Sequence, residues 1–253
     1  MISLLTMVKM ESSVSTPHCS FVIYLFRDLK ALPLFIQDFR AFFQKFPLNY
    51  ELICVIDSTP EEHVLKELKS TAPQNESWQI LTNAAKIGRA QSLQKGASHA
   101  RGELIIFPSL MMATPLGDLF KILQHLMSEP SMMACWGERY SKKSEVMTHS
   151  LHAALKTENT FNKILKEKNP HSALDPLCEI GGLRKTAWSE IENAPELKKS
   201  KGWFLANHCQ KVLRQKNLPQ HFLHIHDSGL RPTDFSLWSA RWELLRQSLF
   251  ETL

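Results

Sequence analysis

The first part of the chain alternates short, continuously apolar runs with longer segments whose apolar residues recur at helical spacing. Four of the runs have the length of a strand: Phe21–Phe26, Glu51–Ile56, Trp78–Leu81 and Glu103–Phe107. Amphipathic or helix-forming segments separate them, the clearest being Ala31–Phe46. Strands that are apolar on both faces and alternate with helices are typical of a parallel sheet covered by helices. The pattern therefore predicts an α/β fold with a mostly parallel sheet flanked by helices.

The rest of the chain continues this alternation with less regular spacing. After Pro115 we expect, in order, a helix to about Met127, a strand at 132–136, a turn at 137–140, a helix at 148–168, a glycine-containing turn and strand at 175–184, a helix at 203–216 and a strand at 220–226. No internal repeat separates these elements into units. Residues 19–230 are therefore predicted to form a single domain, preceded by a flexible tail at 1–18.

A last amphipathic segment, residues 231–253, is predicted to form a C-terminal helix. Its apolar stripe consists of Phe235, Trp238, Trp242, Leu245 and Leu249. A stripe of this kind docks on the protein core or lies at a membrane interface, and the sequence leaves both open.

Composition is that of an ordinary globular protein, with 43% hydrophobic and 22% charged residues among 253. The net charge of +5 is scattered along the chain, and no aromatic-basic motif accompanies it, so we expect no nucleic-acid partner. The five cysteines have neither metal-ligand nor redox spacing, which is typical of a reducing compartment. No signal peptide or membrane span is recognisable. The sequence thus predicts a cytoplasmic protein, with peripheral membrane association left open.

Polar residues gather where the first four predicted strands end. These ends are Phe26-Arg27-Asp28, Asp57-Ser58, Asn83-Ala84-Ala85-Lys86 and Pro108-Ser109-Leu110. The carboxyl ends of parallel strands lie at one edge of a sheet, and ligands of open α/β folds bind there. We therefore expect the functional site of this chain at that edge.

Several segments, in order along the chain, carry a resemblance to a known family. Val55-Ile56-Asp57-Ser58-Thr59 resembles a strand ending in Val-Asp-Asp-x-Ser. The longest match follows a family pattern of small residues at regular spacing, through Gly88, Ser92, Gly96, Ala100 and Gly102. Farther on, Gly137-Glu138-Arg139-Tyr140 resembles a Gly-Thr-Arg-Tyr turn and Lys201-Gly202-Trp203 a Lys-Gly-Tyr segment. The chain resembles the family-2 glycosyltransferases of GT-A fold, and most of all the dolichol-phosphate mannose synthase branch.

The resemblance also locates a substitution. Members of this family carry an Asp-x-Asp pair that holds a divalent metal on the diphosphate, and Pro108-Ser109-Leu110 stands in its place between Phe107 and Pro115. Mg²⁺ and Mn²⁺ prefer oxygen ligands, and the side chains of proline and leucine supply none. We therefore expect a degenerate motif and no metal cofactor. His208 likewise stands where the family has a glutamate.

The resemblance assigns roles to individual residues. Nucleotide-sugar binding falls to five residues, with the aspartate expected to hydrogen-bond the base and the cations to meet the phosphates: Asp57, Lys86, Arg89, Arg27 and Ser109. Arg139 is expected to contact an acceptor phosphate, and Asp175 is the second catalytic candidate. Structural roles remain open for both aspartates, as caps or turn residues, and for both Arg89 and Arg139, as solvated cations.

Two functions of different class follow. The first is a glycosyltransferase that binds a UDP- or GDP-linked sugar and transfers it without a metal to a lipid-phosphate or glycan acceptor. The second is a catalytically inactive homologue that acts as a binding or assembly partner of another protein. Loss of the metal pair weakens the argument for catalysis, while the fold expectation does not depend on it.

Overall fold

The structure, a computed structural model, describes residues 17–26, 32–46, 48–58, 60, 62–71, 77–108, 116–140, 180–200 and 205–226. Within these ranges the strands are β1 (Cys19–Leu25), β2 (Tyr50–Ile56), β3 (Ser77–Thr82), β4 (Leu104–Phe107), β5 (Ala134–Tyr140), β6 (Gly181–Arg184) and β7 (Gln220–His226). The helices are α1 (Leu32–Phe43), α2 (Glu62–Thr71), α3 (Arg89–His99), α4 (Leu116–Ser128), α5 (Lys185–Ile191), α6 (Pro195–Lys198) and α7 (Leu205–Gln215).

All of these strands belong to one sheet in the order β3-β2-β1-β4-β6-β5-β7. The pairs β1–β2, β1–β4, β2–β3 and β5–β7 are parallel, while β6 runs antiparallel to both of its neighbours. The carboxyl ends of β1 to β4 therefore lie at the same edge of the sheet. The predicted α/β fold with a mostly parallel sheet is confirmed.

Helices cover the sheet on both faces, and each face has its own apolar core. On one side α1 and α4 pack on the sheet around Phe21, Phe39 and Ile122, all of them fully buried. On the other side α3, α5 and α7 pack around Trp136, Val55 and neighbouring aliphatic residues. β1 and β2 are buried on both faces, which explains why their sequences read as continuous apolar runs.

Two glycine positions let elements approach closely. A Cβ at Gly96 of α3 would lie 2.9 Å from Val55 Cγ2 and closer still to Val22, so this helix rests directly on β1 and β2. A Cβ at Gly182 would lie 3.1 Å from Leu126 of α4 and would clash with Ile106. Packing thus explains one small residue of the family-like pattern, Gly96.

A buried ionic cluster joins the strands at the opposite, amino edge of the sheet. Glu51 is fully buried, and its Oε1 accepts hydrogen bonds from Ser20 Oγ and from the Arg101 backbone nitrogen, each at 2.6 Å. Gly102 N donates to Ser20 Oγ at 2.8 Å, and a Cβ at Gly102 would lie 2.7 Å from Ser20 N. The Arg101-Gly102 pair therefore fixes where β4 begins.

The sequence and the structure differ in the second half of the sheet. Residues 137–140, predicted to form a turn, belong to β5, because each of them pairs with a residue of β7, from Gly137 with Leu223 to Tyr140 with His226. Helices α5 and α6 were not predicted, since both are short. Arg184 caps the end of α4 through hydrogen bonds to carbonyl oxygens, including that of Met132 at 2.8 Å and that of Glu129 at 3.2 Å.

Three predicted regions, 1–16, 141–179 and 227–253, lie outside the described residues and include the expected helices at 148–168 and 231–253. A membrane-crossing helix would have to be longer and more apolar than any helix found in the described ranges.

Candidate functional site

Asp57 follows β2 at the carboxyl edge of the sheet and is fully buried. Its Oδ1 accepts hydrogen bonds from the Ile87 backbone nitrogen at 2.8 Å and from Asn83 Nδ2 at 3.1 Å. Its Oδ2 accepts from the Gly88 backbone nitrogen at 2.9 Å and from the Tyr24 hydroxyl at 3.2 Å. Four protein donors from β1 and from the β3–α3 segment thus converge on one carboxylate.

The loop that joins β3 to α3, residues 83–88, is held in place by these contacts. Gly88 has φ +96°, a left-handed conformation that residues with a Cβ rarely adopt, and it is the residue at which α3 is capped. Among the described residues, no atom lies within 4 Å of the position a Gly88 Cβ would occupy. The backbone at the start of α3 is therefore not covered by any described side chain.

Two cations of the site lie against aromatic rings of β1 and its end. Arg89, the first residue of α3, has its guanidinium carbon 5.1 Å from the ring centroid of Tyr24 and is only 6% exposed. Lys86 Nζ lies 4.5 Å from the ring centroid of Phe26, and the lysine is exposed. Such stacking orients a positive charge without neutralising it.

Asn83 is a second buried polar residue at this edge. Its Nδ2 donates to Asp57 Oδ1 and, at 2.9 Å, to Ser92 Oγ, while its Oδ1 accepts from Lys95 Nζ at 3.0 Å. The Ser92 hydroxyl donates in turn to the Gly88 carbonyl at 2.8 Å. Sequence reasoning placed Asn83 at a strand end without a role, because its partners depend on the register of β2 against β3.

The structure thus brings together Asp57, Lys86 and Arg89 among the predicted site residues. Arg139 lies near the carboxyl end of β5, which runs in the same direction as β4, and therefore reaches the same edge about two strand spacings, roughly 10 Å, from β4. Arg27, Ser109 and Asp175 lie outside the described residues, and their assigned roles stay predictions.

His208, which stands where the family has a glutamate, lies on α7. Burial lowers its pKa, nearby Lys211 lowers it further, and Glu196 opposes both. The side chain is therefore neutral at pH 7. The charged neighbours that shift its pKa, Glu196 and Lys211, belong to α6 and α7.

The described cysteines offer no nucleophile for this site. Burial raises the pKa of Cys135 to about 12 and raises the pKa values of Cys19, Cys54 and Cys209 as well. Thiols of this kind behave as small apolar groups.

The residues after β4 do not fit a divalent metal. β4 lies beside β1 in the sheet, so its carboxyl end adjoins the Asp57 group, and Pro108 is the first residue beyond it. In Pro108-Ser109-Leu110 the side chains contain one neutral hydroxyl and no carboxylate. Hard divalent cations need several oxygen ligands, commonly carboxylates, and these side chains do not supply them.

Solved structures with the same fold are known. Mannosyl-3-phosphoglycerate synthase from Rubrobacter xylanophilus matches with a TM-score of 0.66 and 13% identity, over 92% of this chain and 73% of that one. Glucosyl-3-phosphoglycerate synthase from Mycobacterium tuberculosis, solved with Mn²⁺, UDP and phosphoglyceric acid, matches with a TM-score of 0.65 and 10% identity, over 92% and 76% of the two chains. At such identities the likeness extends to the fold alone.

Sequence comparison gives the family. No curated protein sequence matches this chain significantly. The model of glycosyl transferase family 2 matches residues 20–191, which span β1 to α5 and include the whole Asp57 group. This match covers more than half of the chain, and the chain therefore belongs to glycosyl transferase family 2.

Proposed function

We propose that this family-2 chain binds a nucleotide sugar, linked to UDP or GDP, at the carboxyl edge of β1 to β4, and that cationic side chains take the part of a metal on its diphosphate. The observation that carries the proposal is the β3–α3 loop, which Asp57 holds in place at the start of α3, where no described atom lies within 4 Å of a Gly88 Cβ position. The glucosyl-3-phosphoglycerate synthase that shares this fold was also solved with UDP-glucose. A nucleotide sugar is therefore the first ligand to test.

The start of α3 suits an anion. Amide hydrogens in the first turn of a helix carry the positive end of its dipole, and a glycine before them lets a phosphate approach the backbone. Gly88 occupies that position, the N-cap of α3. Lys86 adds an exposed positive charge two residues earlier, so the phosphates of a nucleotide would meet both together.

Asp57 contributes to this site through the loop. Both of its oxygens already accept hydrogen bonds from protein donors, two of them backbone nitrogens of the loop. A direct bond to the base, as the family resemblance implies, would have to displace one of those donors. We therefore assign Asp57 the task of holding Ile87 and Gly88 in position.

Transfer from such a complex requires no metal in principle. The bond between the anomeric carbon and the diphosphate oxygen breaks, its electron pair remains on the diphosphate, and an acceptor oxygen bonds to the anomeric carbon. Lys86, Arg89 and Arg27 would stabilise the charge that the leaving diphosphate gains. A lipid-phosphate acceptor is already an anion, so it needs no general base, and Arg139 would hold its phosphate.

The second candidate function is a catalytically inactive binding or assembly partner. It is favoured by Pro108 and Leu110, which stand where the metal-binding carboxylates of the family belong. A chain of this kind would keep the fold and lose turnover, and it would act through contacts with another protein.

Thermal unfolding with added nucleotides tests the proposal. We expect UDP, GDP or one of their sugars to raise the Tm in the presence of EDTA, and the rise to be lost in Asp57→Ala and reduced in Lys86→Met. Lys45→Met, which alters an exposed lysine beyond the end of α1, is the matched control and should bind as the wild type does.

The outcomes separate the two functions. No Tm rise with any nucleotide contradicts nucleotide-sugar binding. A Tm rise without sugar transfer to any phosphate or glycan acceptor favours the inactive partner. Sugar transfer that EDTA abolishes would contradict the role given to the cations.

A further inference from the structure

We propose that Asn83 is a positioning residue for nucleotide binding, which it controls by orienting the Asp57 carboxylate toward the β3–α3 loop. The proposal rests on the proposed function for its ligand. It goes beyond that function by naming a residue outside the family-like motifs as the one that sets the geometry of the loop.

Asn83 uses its whole side-chain amide inside the protein. It is 4% exposed, and its two N–H groups reach Asp57 Oδ1 at 3.1 Å and Ser92 Oγ at 2.9 Å. An amide nitrogen has two hydrogens, so both are used. Asn83 therefore links Asp57, which follows β2, to Ser92 in the first turn of α3.

Lys95 fixes which way this amide points. Its ammonium group has only donors, and its Nζ lies 3.0 Å from Asn83 Oδ1 and 2.8 Å from the Thr82 carbonyl oxygen. The amide oxygen must therefore face Lys95, and the amide nitrogen must face Asp57. A reversed amide would place two oxygens against each other at Asp57 and two donors against each other at Lys95.

The Asp57 carboxylate then holds the loop. Oδ1 bonds both Asn83 and the Ile87 nitrogen, so the direction of the first bond sets where the second donor can lie. Gly88 N is held by the other oxygen. A small rotation of the carboxylate would displace both the Ile87 and the Gly88 amide groups. It would thereby change the backbone geometry that a phosphate meets at the start of α3.

The variant Asn83→Asp distinguishes a positioning role from a purely structural one, because only a positioning role predicts that its effect reverses with pH. It places two carboxylates about 3 Å apart, and such a pair cannot be fully ionised, so it takes up a proton as the pH falls. The bound proton restores a donor between positions 83 and 57. Among the described residues, the other ionisable groups at this point are the Tyr24 hydroxyl from β1 and, from α3, Lys95 and Arg89.

The experiment combines amide hydrogen exchange with nucleotide titration on the full chain. In Asn83→Ala we expect exchange at Ile87 and Gly88 to be at least tenfold faster and the Kd for UDP or GDP, whichever the wild type binds, to rise at least fivefold. In Asn83→Asp both effects should be large at pH 8 and should shrink toward the wild-type values at pH 5. Thr82→Ala, an exposed neighbour on β3, is the control and should change neither quantity.

Lys95→Met keeps Asn83 and removes only the group that orients its amide, so it serves if the Asn83 variants do not fold. We expect exchange at Ile87 and Gly88 to be two- to fivefold faster in this variant. Unchanged exchange at both amides in all variants overturns the proposal, and so does faster exchange with an unchanged nucleotide Kd.

Failure of the proposed function is distinguishable from these results. If the wild type binds no nucleotide, the proposed nucleotide binding is wrong for this chain. The amide exchange rates, with their reversal by pH in Asn83→Asp, then decide by themselves whether Asn83 positions the loop.

Discussion

Arg101 holds the Glu51 carboxylate at two points, with its backbone nitrogen 2.6 Å from Oε1 and its side-chain Nε 2.8 Å from Oε2. Burial by itself raises the pKa of Glu51, but the hydrogen bonds from Ser20 and Arg101, together with the charge of Arg101, hold it below its ordinary value. Glu51 is therefore ionised in the folded protein and joins the amino ends of β1, β2 and β4.

This pKa shift predicts a pH-dependent stability. A carboxyl group whose folded pKa is depressed contributes stability above its unfolded pKa, about 4.3 for glutamate, and loses it as the pH falls through the folded pKa. Glu51→Gln should cost roughly 1–3 kcal/mol at pH 7, because Ser20 and the Arg101 backbone lose a charged acceptor. Urea unfolding at pH values from 7 to 3 checks this, and the difference from wild type should shrink in acid. A cost that stays constant across this range would contradict an ionised Glu51.

Two helical glycines should respond to alanine in opposite directions. A Cβ at Gly96 meets Val22 and Val55, so Gly96→Ala should lose about 1–3 kcal/mol through overpacking. A Cβ at Gly117, in the first turn of α4, meets no described atom within 4 Å, so Gly117→Ala should be neutral or gain up to about 1 kcal/mol. Denaturant unfolding of the two variants measures both values. Equal effects would mean that α3 does not rest on β1 and β2 as described.

Gly88→Ala separates backbone strain from lack of space. Its Cβ would meet no described atom within 4 Å, yet the φ of +96° is unfavourable for any residue with a side chain. We expect a loss of about 1–2 kcal/mol in unfolding free energy and faster amide exchange at Ile87, because relief of the strain moves the loop away from Asp57. An Asn variant should lose about as much, because the ψ of 162° at Gly88 lies outside the left-handed helical region that Asn tolerates. No loss in either variant would contradict strain as the cause.

The fold was predictable where burial determines the pattern of apolar residues in the sequence. β1 and β2 are buried on both faces, so each appears in the sequence as a continuous apolar run. β7 was also predicted at the residues where it occurs, Gln220–His226. The residues 137–140 were wrongly predicted as a turn because glycine and charged residues read locally as a break, whereas pairing with β7 extends the strand. α5 was missed because only tertiary contacts of Trp188 and Ile191 stabilise such a short helix.

The grouping of the strand ends was predictable, while the details of their contacts were not. The rule that ligands bind at carboxyl ends led us to expect a site with Asp57 and Lys86 at one edge, and the parallel order of β1 to β4 shows that these two residues share that edge. Tyr24 and Asn83 were not predicted as partners of Asp57, since their contacts depend on strand register. The dolichol-phosphate mannose synthase branch, the acceptor and the roles of Arg27, Ser109 and Asp175 remain predictions.

A pair of stacked histidines joins α4 to the edge strand β7. The rings of His125 and His221 lie 4.3 Å apart between centroids with an angle of 29° between their planes, and His125 Nε2 is buried with no hydrogen-bond partner. Burial lowers the pKa of His221, and the neighbouring His125 lowers it further. Burial and the neighbouring ring therefore favour the neutral form of His221.

This pair predicts a loss of stability in mild acid. A histidine whose folded pKa is depressed contributes stability above its unfolded pKa, about 6.5, and that contribution falls as the pH drops from there to the folded pKa. His221→Phe keeps a stacked ring and removes the titrating group, so its Tm should fall less between pH 7 and pH 5 than the wild-type Tm, by about 1–3 °C. His99→Gln, which alters an exposed histidine of α3, is the control and should follow the wild type. Parallel curves for His221→Phe and wild type would contradict the prediction, because the stack would then carry no proton-linked free energy.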